Sequence, residues 1–387
     1  MTPRILICRS NPIAPDPRVE KIARTLAAAG YPVMLLGWDR SGQMAAYQQV
    51  DGLTIYRLPV RGEFGNGLAN LPNLLRWQIG LMRWLAAHRN EYDLIHACDF
   101  DTVLPALVCQ RLWGKQVVYD IFDFYADHLR RTPAWLKRMI RAADLWAIGQ
   151  SQALILADDS RWEQIAGAKP KRSTVIYNSP EEVGVVERQS PAAEAPGLRL
   201  AYVGLLQVER GLFQMLAVLQ RHPEWSLDLA GFGGDEERIL AQATAMPNVR
   251  WHGRVSYTQA LRLSQAADVL FATYDPAIPN HRYSSPNKVF EAMLLGKPIL
   301  VAQGTNMDRI IAQADCGLIL PYGDIPALEA ALTQLLAAPE LRCRLGQNAR
   351  QAYQARYSWA VMQTRLLELY REILPQGSGP SAQQAEG

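Results

Sequence analysis

The stretch Tyr283-Ser-Ser-Pro-Asn-Lys-Val-Phe-Glu-Ala-Met-Leu-Leu-Gly-Lys-Pro298 decides how the chain is read. It predicts a helix over 287–295, with Pro286 suited to its first turn and Ser285 to its cap, so that the amides of Asn287 and Lys288 are unpaired donors at the helix start. Those amides, the positive end of the helix dipole and the Lys288 ammonium together make an anion site. Glu291 sits one turn along from Asn287 and can accept hydrogen bonds from a vicinal diol such as ribose. The same spacing also suits a capped helix with Lys288 and Glu291 as a solvated i,i+3 pair, and spacing alone does not choose between the two.

Working outward, this helix belongs to an alternating series. Strands are predicted at 198–203, 226–230, 249–252, 269–272, 299–301 and 317–320, with helices between them, including 325–336. A similar series precedes it, with strands at 4–8, 32–37, 54–58, 94–96, 116–120, 145–148 and 174–177. Its first helix, over 19–29, has readable ends: Asp16 caps it, Pro17 suits the first turn and Gly30 stops it. Strand, helix, strand in that order implies parallel sheets. Between the series, SPEEVGVVERQSPAAEAPG loses periodicity and reads as a linker. The expected organisation is an α/β chain of two doubly wound domains facing a cleft. Residues 1–178 form the first domain, 179–197 the linker and 198–359 the second domain. A final helix over 360–375 packs back on the first domain, and 376–387 is a disordered tail. Ligands in such sheets bind at the carboxyl ends of the strands.

Composition narrows the function. Forty Lys and Arg against 37 Asp and Glu, a net of +3 over 387 residues, is too small an excess to make nucleic acid the main partner. Cys8, Cys98, Cys109, Cys316 and Cys343 show no metal-ligand spacing and suit buried thiols in a reducing compartment. The opening apolar run of four residues is too short for a signal peptide, and no 18-residue apolar stretch occurs. The expectation is a cytoplasmic protein.

Two further turns invite a ligand. In Tyr202-Val-Gly-Leu-Leu-Gln-Val-Glu-Arg-Gly-Leu212, Gly204 ends a buried strand and allows backbone approach, while Arg210 can present a fork to phosphate. A tight turn with a surface arginine reads equally from that sequence. Leu229-Ala-Gly-Phe-Gly-Gly-Asp235 places Gly231, Gly233 and Gly234 at a strand end without GxGxxG spacing, which disfavours hydride transfer.

Taken together with NVRWHGRVSYTQALRLSQAADV, RSNPIAPDPRVEKIARTLAAAGYPVMLLGWDR and YDLIHACDFDTVLPALV, these stretches resemble glycosyltransferase family 4, of GT-B fold. The resemblance covers residues 1 to about 375 and is more specific in the second half. It implies a retaining transferase that uses nucleotide sugars. It makes Glu291 the ribose-holding glutamate, Arg210 the diphosphate-gripping cation with Gly204 before it, and Arg254 a residue of the loop near the base. Gly231, Ser285, Asn287 and Lys288 complete the nucleotide-sugar set. The sequence departs from the family at Tyr283, where the first glutamate of its paired motif stands, and at Leu205, where an arginine usually follows the glycine. In VVYDIFDFYADH it departs again, with Phe122 where a histidine is common. Asp123 is then the nearest candidate base and His96 a second cleft-facing candidate, although a loop anchor and a satisfied structural histidine fit them as well.

The resulting expectation is metal-independent hexosyl transfer without a cofactor. The sugar passes from a nucleoside diphosphate donor to a glycan or lipid-linked acceptor in cell-surface polysaccharide assembly. Arg210 and Lys288 stabilise the departing diphosphate. A nucleotide-sugar epimerase and an inactive nucleotide-sugar-binding protein remain as alternatives. Two helical stretches, 71–84 and 129–141, mix tryptophan with basic residues and suggest peripheral contact with an anionic membrane surface, the inner face of the plasma membrane.

Overall fold

Runs such as Ile5-Leu-Ile-Cys8 carry no polar side chain, as strands buried on both faces require, and each of the four is fully buried. The computed structural model of the protein describes residues 2–62, 71–128, 132–182 and 197–374. Most of the predicted linker, the tail at 376–387, and Arg130 and Arg131 lie outside the described residues. The chain divides into two units, Met1–Ile176 with Met362–Gly387, and Tyr177–Val361.

Among the described residues the first unit holds eight strands: β1 (Ile5–Arg9), β2 (Val33–Asp39), β3 (Tyr47–Val50), β4 (Leu53–Pro59), β5 (Leu94–Cys98), β6 (Gln116–Ile121), β7 (Ala153–Leu156) and β8 (Ser173–Val175), ordered β3-β4-β2-β1-β5-β6-β7-β8. All pairings are parallel except β3 with β4, an antiparallel edge that the sequence reading omits because its residues are mostly exposed and polar. The second unit holds β9 (Arg199–Leu205), β10 (Ser226–Phe232), β11 (Val249–Trp251), β12 (Val269–Ala272), β13 (Ile299–Ala302) and β14 (Gly317–Leu320), all parallel and ordered β11-β10-β9-β12-β13-β14. This is the α/β class of two parallel, Rossmann-like sheets.

Local signals place the first helix, Pro17–Ala28: the Asp16 carboxylate accepts from the Val19 amide at 3.2 Å, and Pro17 occupies the first turn. One strand expectation fails. Residues 145–148 lie within the helix Ala134–Gln150, where Asp144, Ala147 and Ile148 face inward, and the strand begins only at Ala153. A short apolar run on the buried stripe of a helix looks like a strand when read alone. The helix Trp359–Ile373 joins the first unit from Met362 onward, where the Arg365 guanidinium donates to the Val175 carbonyl at 3.1 Å. Four cysteines are buried as expected, but Cys343 is exposed.

Of the two tryptophan-bearing stretches, the first turns one tryptophan into the core. Within the helix Leu71–Ala87, Trp77 is fully buried and stacks on Trp38 with centroids 4.9 Å apart, and Trp84 stacks on His88. Among the described residues no helix is long and apolar enough to cross a membrane.

Candidate functional site

The carboxyl end of β9 is shaped by glycines. Gly204 has φ +149° and pairs with Gly231 of β10, itself at φ +146°. A side chain at Gly231 would place its Cβ 1.8 Å from the Gly204 carbonyl oxygen, and one at Gly204 would place it 2.2 Å from the Lys288 Nζ. Glycine is required here because two strands and a lysine converge on one spot.

Lys288 reaches that spot from the helix Asn287–Leu295, its Nζ 4.3 Å from the Tyr202 ring centroid. The helix starts differently from expectation. Pro286 occupies the cap position and no side chain caps the start. Ser285 is therefore not the cap, because proline's fixed φ and missing N–H shift the boundary by one residue. Its hydroxyl is buried without a hydrogen-bond partner among the described residues, and its carbonyl accepts from the Asn178 side chain at 3.4 Å. Asn287 is exposed at the same helix end.

Arg210 closes a single 3-10 turn, Val208–Arg210, held by the Asp235 carboxylate accepting from the Val208 amide at 3.0 Å. The turn packs against the residue that follows β12 because Gly211, at φ +73°, leaves room for the Thr273 hydroxyl, which a Cβ would approach to 2.1 Å. The Arg210 guanidinium lies 3.9 Å from the Tyr274 ring centroid and donates to Gln207 at 3.3 Å. Among the described residues neither Arg210 nor Lys288 has a carboxylate partner. Two cations on aromatic supports at the end of one sheet, with a helix start beside them, form a site for an anion.

Glu291, one turn into that helix, is hydrogen-bonded by the Tyr257 hydroxyl; burial, then the Glu291 charge, pushes the Tyr257 hydroxyl well above its usual range. Arg254 is exposed, its guanidinium 4.4 Å from the ring centroid of the half-exposed Phe232. The sequence reading missed four aromatic supports: Tyr202, Tyr274, Tyr257 and Phe232. Tyr202 stands two residues before Gly204 and Phe232 one after Gly231, so proximity to a strand-end glycine is the signal that could have found them.

In the first unit the two candidate bases are engaged. His96 is fully buried, its Nδ1 2.7 Å from the Tyr370 hydroxyl and its Nε2 3.3 Å from Asp120, which fits the reading as a satisfied structural histidine. The Asp123 carboxylate accepts from Arg161 at 3.0 Å, which fits the loop-anchor reading. Phe122 packs between two guanidiniums, Arg9 at 4.0 Å and Arg18 at 4.7 Å from its centroid. Both arginines are neutralised: Arg9 by Asp99 and by Asp16 at 3.2 Å, Arg18 by Asp120 at 2.9 Å. Burial opposes the charge on Asp120, yet Arg18 and His96 hold its carboxyl below the usual range. Asp101 is pushed up to about 6 by burial and by the charge of Asp99. Among the described residues no group of three or more His, Cys, Asp or Glu is placed to hold a metal ion.

Comparison with known proteins supplies the wider frame. Residues 14–179 match the family model of a glycosyl transferase 4-like domain, and residues 186–352 match glycosyl transferases group 1. Among curated relatives, glycogen synthase of Mycobacterium tuberculosis is 24% identical, with 91% of this chain and 89% of the relative covered. The GDP-mannose:cellobiosyl-diphosphopolyprenol alpha-mannosyltransferase of Xanthomonas campestris is 25% identical, with 87% and 85% covered. Among solved structures, sucrose-phosphate synthase from Thermosynechococcus elongatus superposes with a TM-score of 0.76 at 16% identity, over 96% of this chain and 99% of that one. HepE of Anabaena, solved with UDP and glucose, gives 0.70 at 15% identity, over 95% and 99%.

Proposed function

We propose, starting from the fact that the chain is a glycosyltransferase of GT-B fold resembling family 4, that it transfers a hexosyl group from a nucleoside diphosphate sugar to an acceptor hydroxyl with retention of configuration. The observation that carries the reading is the pair of cations that meet no carboxylate among the described residues, Lys288 against Gly204 and Arg210 on Tyr274. A diphosphate laid along the end of β9 meets Lys288, Arg210 and the start of the helix Asn287–Leu295. Negative charge grows on that diphosphate as the glycosidic bond breaks, so fixed donors favour the transition state over the ground state. On this reading the two side chains meet the charge without a resident metal or other cofactor. Glu291, oriented by Tyr257, accepts from the ribose hydroxyls, the Ser285 hydroxyl donates to the donor substrate, and Gly204 and Gly231 keep the approach open. Arg254 stacks near the base with Phe232.

Relatives and structural neighbours support a nucleotide-sugar donor: the Xanthomonas relative's name pairs GDP-mannose with a diphosphopolyprenol, and HepE was solved with UDP. The relatives are transferases and synthases by name, which favours transfer over epimerisation. We place the acceptor among glycans or lipid-linked saccharides at a cell surface.

Incubation with UDP- and GDP-sugars in the presence and absence of EDTA tests the proposal. Slow nucleotide release that lipid-linked or glycan acceptors accelerate, and that chelation leaves intact, is the expected result. Conversion to a different sugar nucleotide, or turnover lost with EDTA, overturns it.

A further inference from the structure

We propose that the base of the donor nucleotide is guanine and that Arg254 selects it, an inference that rests on the nucleotide-sugar reading above. Leu205 and Phe232, the last residues of β9 and β10, are register partners, so their side chains stand on one face of the sheet beside Gly204 and Gly231. They are 41% and 45% exposed, although parallel strands are ordinarily covered on both faces. Backbone bonds hold this apolar pair in place. The Leu206 amide donates to the Phe232 carbonyl at 2.8 Å, and the Asp235 amide to the Leu206 carbonyl at 3.1 Å. The loop after β11 is tied to the same spot, since the Gly231 amide donates to the Gly253 carbonyl at 2.9 Å, and the next residue is Arg254, on the Phe232 ring. Three residues further, Tyr257 bonds Glu291. The ribose carboxylate is thus linked through one short segment to an apolar platform with an arginine on it. A flat ring system attached to ribose is what such a platform accommodates.

Hydrogen-bond chemistry selects which base. A guanidinium carries donors alone, set in a fork, and among the described residues no oxygen accepts from that of Arg254. Guanine offers such a fork two adjacent acceptors, N7 and O6. Adenine sets its N6 amino donor beside N7, so one arm of the fork would meet a donor. On uracil the two carbonyl oxygens are separated by the N3–H donor, and the fork meets one acceptor only. A purine also covers more of the Leu205 and Phe232 pair than a single-ring pyrimidine does. Lys288 and Arg210 serve the diphosphate, which every nucleotide donor carries, so they cannot discriminate among bases; Arg254 can.

Calorimetry of the full chain with nucleoside diphosphates alone tests this, and its readout does not depend on sugar transfer. GDP should bind about tenfold or more tightly than UDP and ADP. Inosine diphosphate, which keeps N7 and O6 and lacks only the 2-amino group, should bind nearly as well as GDP. Arg254→Gln should lower GDP affinity about tenfold or more and leave UDP and ADP within about twofold. Arg254→Lys keeps the charge without the fork and should lose the same preference. Arg254 is exposed, so an unchanged melting curve confirms the fold. UDP or ADP binding as tightly as GDP overturns the assignment. An equal loss for all three nucleotides in Arg254→Gln also overturns it, since the arginine then touches phosphate, and so does inosine diphosphate binding as weakly as UDP, since the 2-amino group then carries the recognition. If none of the nucleotides binds, the nucleotide-sugar reading itself fails and the base assignment falls with it.

Discussion

At the carboxyl end of β1, Arg9 and Arg18 flank Phe122 and each meets a carboxylate: Asp16 and Asp99 for the first, Asp120 for the second. At the carboxyl end of β9, Lys288 and Arg210 also rest on aromatic rings, yet they meet a glycine and a glutamine instead. Two sheets of one class thus carry similar cations over similar rings and differ in whether the charge is already answered. An arginine held by buried carboxylates is part of the scaffold, because the pair must stay intact to remain tolerable away from water. A cation on a ring keeps its field for something that arrives.

The sharpest way to break this comparison is to exchange the expected consequences. Arg18→Met leaves Asp120 buried without its main partner and should destabilise the protein by about 3–5 kcal/mol, read from denaturant or thermal unfolding. Asp120 has a depressed carboxyl in the folded state, so its contribution is present above the ordinary aspartate range and is lost as pH falls through and below it. The gap between the variant and the unmutated protein should therefore narrow in acid, below about pH 4. A gap that widens there contradicts the scaffold role.

In the second unit the effects should fall on turnover with the fold unchanged. Lys288→Ala and Arg210→Ala should each reduce kcat by about 10² with little change in melting temperature. Equal losses of stability in the two units would erase the distinction. Next in size, Glu291→Ala should weaken nucleoside diphosphate binding by about 1.5–3 kcal/mol in calorimetry, as a diol loses a charged acceptor. Smallest, Tyr257→Phe removes only the hydroxyl that orients Glu291 and should cost about 0.5–1.5 kcal/mol of the same affinity. If Tyr257→Phe costs as much as Glu291→Ala, the hydroxyl touches the ligand itself and the order of roles is reversed.

The same contrast explains what could be read in the sequence. Gly204, Arg210, Lys288 and Glu291 are each legible because their neighbours within a few residues make the turn or helix that presents them. His96 and Asp123 are less legible because their partners are remote: Tyr370 lies 274 residues from His96, and Arg161 lies 38 from Asp123. A strand-end histidine carries no mark of whether a hydroxyl remote in sequence will reach it. The burial of Trp77 is hidden for a similar reason, since its partner Trp38 comes from β2. Ser285 failed more locally, by one residue, where proline took the position the hydroxyl was expected to hold.

The helix Trp359–Ile373 has a consequence in time. Met362, Leu366, Leu369, Tyr370 and Ile373 are buried, and Tyr370 bonds His96, so residues made after the second unit complete a unit whose strands were made before it. At about 5–20 residues per second, a ribosome takes on the order of 10 to 40 s to travel from Ile176 to Met362. During that interval the nascent first unit exposes the apolar surface that the helix will cover, while Tyr177–Val361 can complete its own sheet as it emerges. The order of synthesis and the order of completion therefore run opposite ways. A chain terminated just before Trp359 would hold every strand of its first sheet and still expose a sticky flank to chaperones and proteases.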